Sequence, residues 1–381
     1  MVLMHRMNRA VPAVRGLLLA ASLVLGGCAA APPPAEILTA PIQVQSIAGA
    51  PRVGDGRAAF RSAFCSMLRE EHLAAPDDVA CDRWLWRLTD EPAGDADRVI
   101  LPANPEHLDV VLVTGAFSEC VGEGSRPYSA GAARLQAAGA KVRTIVVGGR
   151  SGTSHNAGQI ADALAASQID DDRKVILIGY SKGGLDILRF LVDFPDLAER
   201  VDAVVGVASP LFGTRLADLA GPAYAALVAK LPYEKCPPGD GEVMSSLRPD
   251  AASGWLVANP LPAGVRFYSL AAFTTREHVA RALVPFWKHL GGTDVRNDGQ
   301  VVAIDAVIPG STLLGYANAD HWGVAETIET EHPVLAARQD PALFPLEQLF
   351  VAMVAFIADD LAQNARSGPG TVPTGNLESE R

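Results

Sequence analysis

Near the middle of the chain the apolar run KVILIG, ending at Gly179, meets Tyr180-Ser181-Lys182-Gly183-Gly184 and then the stretch LDILRFL, which begins at Leu185. A short continuous apolar run is what a strand covered on both faces requires, and the spacing that follows is helical. Between them stands Gly-x-Ser-x-Gly. A strand can turn so sharply into a helix only if the residues flanking the serine carry no side chains to strike neighbouring elements. The pattern therefore predicts a strained elbow that lifts the Ser181 hydroxyl to the C-terminal edge of a parallel sheet.

The same rhythm recurs on both sides. Strands are predicted at Asp109–Thr114, Val142–Val147, Lys174–Ile178, Ala203–Val207 and Val265–Leu270. Helices are predicted at Tyr128–Ala138, Asn156–Ala166, Gly184–Phe194 and Leu346–Gln363. Such alternation gives an α/β fold, a mostly parallel sheet flanked by helices. With 49% hydrophobic residues among 381, the chain can bury one large core. The main domain is read as 101–366, with 41–100 as an N-terminal extension packed on it through helices near Ala58–Leu73 and Arg83–Leu88. Between Pro210 and Pro262 the rhythm stops, so about 211–262 is expected to form a cap or lid over the site, including a helix at Leu216–Leu231. Residues 367–381 lack periodicity and are expected to be a disordered tail. A formal net charge of −11 without a basic run argues against a nucleic-acid partner.

A serine hydroxyl is a poor nucleophile at neutral pH and needs a base oriented by an acid. After such an elbow the acid comes next along the chain and the histidine last. His321, in the polar loop NADHWG, is the candidate base; His278 and His289 fall in an apparent helix and His332 precedes a proline. Asp298, in the turn RNDGQV, is the candidate acid, ahead of Asp294, Asp305 and Asp320. Asp320 adjoins His321, so its side chain is expected to point away from that ring. The developing oxyanion needs two backbone amides. Lys182 should supply one through its main chain, and Phe117 the other, with Ala116 as the next choice. No metal or cofactor is implied.

The N-terminus reads as an export signal over 1–27: Arg6, Arg9 and Arg15, then an apolar run from Leu17 to Leu25 that is too short to span a bilayer. Leu25-Gly26-Gly27-Cys28 resembles the lipobox of bacterial lipoproteins, which implies acylation of Cys28 and a membrane anchor. Ala29, in place of an Asp, points to the outer membrane, facing the periplasm or cell surface. Residues 28–40, with three consecutive prolines, read as an extended tether. Cys65, Cys81, Cys120 and Cys236 remain, an even number that in an exported chain predicts two disulfides; Cys65 with Cys81 is the nearest pair.

With these residues in hand, the chain resembles bacterial triacylglycerol lipases and related esterases of the α/β-hydrolase superfamily over roughly 109–325. The likeness rests on GYSKGG at 179–184, Ala208-Ser209-Pro210 with Gly213-Thr214, Met244 to Leu247, Gly264 to Ser269, NDGQV at 297–301 and Asp320-His321. It implies hydrolysis of small-molecule or lipid esters, with Ser181, Asp298 and His321 as nucleophile, acid and base and a cap near the acyl pocket. Those lipases often carry a calcium-ligating Asp two residues after the histidine; here that residue is Gly323, so no metal site is carried over. Thr114-Gly115 replaces the usual His-Gly pair. An acyltransferase, a thioesterase, a peptidase or a non-catalytic envelope-binding lipoprotein could use the same scaffold.

Overall fold

Strand β4 (Lys174–Tyr180) sits between β2 (Leu108–Val113) and β5 (Ala203–Val207), and every residue of β4 after Lys174 is buried. Around it a computed structural model of the protein, which describes residues 34–39, 44–71, 73, 79–93, 104–121, 126–167, 172–220, 237–326, 333–338 and 343–367, builds one seven-stranded sheet. The other strands are β1 (Gly54–Asp55), β3 (Lys141–Ile145), β6 (Arg266–Ala272) and β7 (Thr312–Ala317). All pairings are parallel, in the order β1-β7-β6-β5-β4-β2-β3.

The longer helices are α1 (Pro34–Thr39), α2 (Arg57–Glu70), α3 (Ser129–Ala137), α4 (Thr153–Ala166), α5 (Lys182–Asp193), α6 (Pro249–Ala258), α7 (Val284–Leu290) and α8 (Leu346–Ser367). They cover both faces of the sheet. Val110, Leu112, Ile176 and Ile178 pack with Phe60 and Phe64 of α2, Leu135 of α3 and Phe350 of α8. Val111, Val113, Val175 and Leu177 point the other way, onto Ile160 and Leu164 of α4 and Ile187 and Leu191 of α5. Successive strand residues face opposite layers, which is why the strands read as continuous apolar runs. Truncating any of these buried leucines or isoleucines to alanine would cost about 2–5 kcal/mol.

Several expectations are corrected. Pro34–Thr39 is helical, not extended: Ile37 is buried in a cluster with Leu88, Ala271 and Phe273. Residues 83–88 do not form a helix. Leu85 bridges Ala317 and the Trp86 amide donates to the Tyr316 carbonyl, so the segment runs along β7. The extension thus adds an edge strand and an outer segment to the sheet, while α2 covers part of one face. Strand β7 was not anticipated, because Gly315, at φ 153°, and a register shift beside Leu270 break its pattern.

Cys65 on α2 and Cys81 in the helical turn Val79–Asp82 are joined by a disulfide, with Cα atoms 5.6 Å apart. Cys120 lies in the turn Ser118–Val121, and its side chain, like Cys28 and Cys236, falls outside the described residues. So do the signal 1–27, the tether up to residue 33, the tail from 368 and residues 221–236 of the expected cap. Among the described residues no helix is long and apolar enough to cross a membrane.

Candidate active site

The order of the strands creates the site. The chain passes from β2 outward to β3, then returns to β4 on the other side of β2, so the connections leave the C-terminal ends of β2 and β4 in opposite directions. Crevices at such reversals are where α/β sheets bind ligands. Val113 is in register with Gly179, which sets the loop Gly115-Ala116-Phe117 beside Ser181.

At the elbow Ser181 takes φ 53° and ψ −131°, a conformation that costs a residue with a Cβ on the order of 1–3 kcal/mol. Surrounding close packing over-determines it. A Cβ on Gly179 would lie 2.4 Å from Gly184 Cα, and one on Gly183 would lie 2.5 Å from the Val113 carbonyl oxygen. The Ser181 amide donates to the Val207 carbonyl at 2.9 Å, tying the turn to β5.

Three distant stretches converge there. His321 Nε2 is 2.8 Å from Ser181 Oγ, and His321 Nδ1 is 2.8 Å from Asp298 Oδ2. The carboxylate can only accept, so Nδ1 carries the proton and leaves Nε2 free to accept from the serine hydroxyl. The other Asp298 oxygen accepts from the amides of Gln300 (2.8 Å) and Val301 (2.7 Å), which fixes the carboxylate's orientation. The main chain repeats the link: the His321 amide donates to the Asp298 carbonyl at 2.8 Å. Asp298 is 0%, His321 2% and Ser181 8% exposed. Burial pulls the imidazole pKa down, but the Asp298 charge, its hydrogen bond, and the charges of Glu326 and Asp320 outweigh that, and the net shift is upward.

The competing residues lie elsewhere. Asp294 accepts from the amide of Arg296 at 2.9 Å. Asp305, pushed up to about 6 by burial, hydrogen-bonds Gln45. His278 Nδ1 is 3.3 Å from Thr275 Oγ1, and His332 lies outside the described residues.

The oxyanion amides need one correction. Phe117, at φ 61°, donates its N–H to the Gly149 carbonyl at 3.0 Å, so that amide is not presented to Ser181. Ala116 N–H has no partner among the described residues, and Lys182 N–H opens α5, where the first amides have no acceptor within the helix. A Cβ on Gly115 would come 2.8 Å from Ser181 Cβ, so the chain beside the nucleophile is bare backbone. The Lys182 side chain is turned away into a buried network: Nζ is 2.6 Å from Asp186 Oδ1, and Asn156 Nδ2 is 2.8 Å from Asp186 Oδ2. Asp186 and Asn156 are not among the residues predicted from the sequence; the i,i+4 spacing of Lys182 and Asp186 is the signal that points to the pair.

Part of 211–262 packs beside the loop Gly115-Ala116-Phe117, while Leu211, Phe212 and Leu256 pack under the sheet with Ile187 and Leu191. Val243 and Leu247 cluster with Leu185, Ala217, Ala116, Phe117 and Met244. Thr214 Oγ1 donates to the Gln300 carbonyl at 2.6 Å, joining this insertion to the acid's turn. A cavity of about 650 Å³ opens at the opposite, N-terminal end of the strands, lined by Ile47, Pro51, Leu256, Val265 and Pro309. No group of three or more His, Cys, Asp or Glu side chains among the described residues could hold a metal ion.

No protein-family model matches the chain, and no curated protein does. Solved structures do. A metagenomic carboxyl esterase is 33% identical, covering 86% of this chain and 98% of its own, with a TM-score of 0.77. The Staphylococcus hyicus lipase shares the fold at 12% identity, covering 70% of this chain and 100% of its own, with a TM-score of 0.52. The parallel sheet, the elbow and the extent of the first likeness together assign the protein: it belongs to the α/β-hydrolase family of carboxyl esterases and lipases.

Proposed function

We infer that the protein hydrolyses carboxylic esters through a covalent acyl-enzyme. Ser181 attacks the ester carbonyl carbon as His321 Nε2 takes its proton; Asp298 holds the imidazole and stabilises the cation that forms. The amides of Ala116 and Lys182 receive the carbonyl oxygen as it becomes negative. His321 then returns the proton to the departing alkoxide. In the second half, a water molecule gives a proton to His321 and attacks the acyl carbon, and His321 passes that proton to Ser181 Oγ as the bond to the acyl group breaks and the acid leaves. The observation that carries this reading is the pair of 2.8 Å contacts, Ser181 to His321 and His321 to Asp298.

Acylation at Cys28 would hold the mature protein on the outer membrane, the reading its N-terminal sequence favours. A fluorophosphonate probe should label the protein and fail to label Ser181→Ala. Turnover of p-nitrophenyl esters of graded chain length should exceed that of matched thioesters and amides. No labelling of the native protein would overturn the hydrolase reading; thioester or amide preference would replace the substrate class.

A further inference from the structure

Beside the triad lies a buried ion pair that the reaction itself does not use. Asp320 precedes the base, and its carboxylate is fully buried with four donors. The Ala280 amide reaches Oδ2 at 2.6 Å and the Gly323 amide reaches Oδ1 at 2.7 Å. Arg338 adds Nη2 to Oδ1 at 2.9 Å and Nε to Oδ2 at 3.3 Å, so its planar fork spans both oxygens. The same Nε is 3.0 Å from the His278 carbonyl, and the Ala337 carbonyl accepts from the Arg281 amide at 2.9 Å. Three segments that are far apart in sequence therefore meet on one carboxylate: the loop with His321, residues 278–281 leading to α7 and the acid's turn, and the segment ending at Arg338. Gly323 packs closely on this pair, since a Cβ there would sit 3.0 Å from both Arg338 Nη2 and Asp320 Oδ1.

We propose that Arg338 is a positioning residue whose guanidinium, clamped on Asp320, fixes the His321 loop against residues 278–281 and so holds the imidazole in line between Asp298 and Ser181. The proposal rests on the triad reading above. An imidazole displaced by an ångström loses most of its catalytic value while substrate binding is little changed. Guanidinium and ammonium are not equivalent here, because only the planar fork reaches two carboxylate oxygens and a carbonyl together. The charge matters too. The charges that raise the His321 pKa are the carboxylates of Asp298, Glu326 and Asp320, the Tyr180 ring lies beside the imidazole, and Arg338 is paired with the Asp320 carboxylate.

The test compares wild type, Ser181→Ala, Arg338→Met and Arg338→Lys with a soluble p-nitrophenyl ester, after circular dichroism and thermal melting of each. Arg338→Met should lower kcat at least tenfold with KM within twofold. The acid limb of its kcat/KM profile should move to higher pH, and millimolar guanidinium ion should restore part of kcat. Arg338→Lys should lie between it and wild type. A folded Met variant with wild-type kcat and an unmoved acid limb overturns the proposal, as does a loss of kcat that neither guanidinium nor lysine restores in part. Where the Met variant does not fold, the Lys variant decides: a three- to tenfold lower kcat at unchanged KM supports the proposal, and wild-type kcat sinks it. Activity persisting in Ser181→Ala would instead overturn the triad reading, a distinct outcome.

Discussion

The phenol of Tyr180 donates to the main-chain carbonyl of His321 at 2.7 Å, so the residue before Ser181 holds the backbone of His321. Both groups are buried and the two rings lie 5.4 Å apart. Tyr180→Phe keeps the ring but leaves a buried carbonyl without its donor, at a cost of about 1–3 kcal/mol. The expected outcome is a melting temperature lower by roughly 2–5 °C and a several-fold smaller kcat/KM. Differential scanning calorimetry and ester kinetics on the same preparation would check it; unchanged values for both would show that the bond contributes nothing.

The direction of the His321 shift sets the pH profile. Only neutral imidazole can take the serine proton, so kcat/KM should fall as the pH drops through a value above the ordinary histidine 6.5. The linkage has the matching sign. A raised native pKa contributes stability that is fully present below 6.5 and is lost as the pH rises through the native value. In Asp298→Asn burial acts with less opposition, so the acid limb of the residual activity should move to lower pH while kcat falls about 10⁴-fold. A limb that stays in place would mean that Asp298 does not govern the imidazole.

The fold and the site are legible in the sequence where the physical constraint is local. KVILIG and the elbow were readable because steric demands at Gly179 and Gly183 are local, and so was the polar loop that carries His321. Phe117 was misassigned because which amide of a tight turn faces the nucleophile depends on φ at that residue, 61° here, and on the carbonyl of Gly149 far along the chain. For residues 83–88 the apolar Trp84, Leu85, Trp86 and Leu88 fit either period, and only β7 alongside makes them extended. Arg338 gave no local signal, since its partners at 278 and 320 belong to other segments.

The disulfide should matter to stability and not to chemistry. Cys65 and Cys81 close a loop of 16 residues, for which the loss of unfolded-state entropy is worth about 3 kcal/mol. Paired Cys65→Ala and Cys81→Ala substitutions should lower the melting temperature by roughly 5 °C and leave kcat at 25 °C within twofold of wild type. A fall in kcat without a fall in stability would instead make the N-terminal extension part of the catalytic machinery.

The elbow allows a paired substitution of glycines that separates packing from propensity. At Gly183 an added Cβ meets the carbonyl oxygens of Val113 at 2.5 Å and Thr114 at 2.6 Å, both main-chain atoms held in or beside β2. Neither can yield without moving α5 off the sheet, which costs about 1–3 kcal/mol or more and carries Ser181 away from His321. At Gly158, in the middle of α4, an added Cβ has nothing within 4 Å. There alanine should stabilise the helix by about 0.5–1 kcal/mol. Gly183→Ala is therefore expected to melt lower and to react with a fluorophosphonate at least a hundredfold more slowly, and Gly158→Ala to melt slightly higher with unaltered labelling. Wild-type labelling in Gly183→Ala would mean that the close approach of α5 to β2 is not what holds the nucleophile in place.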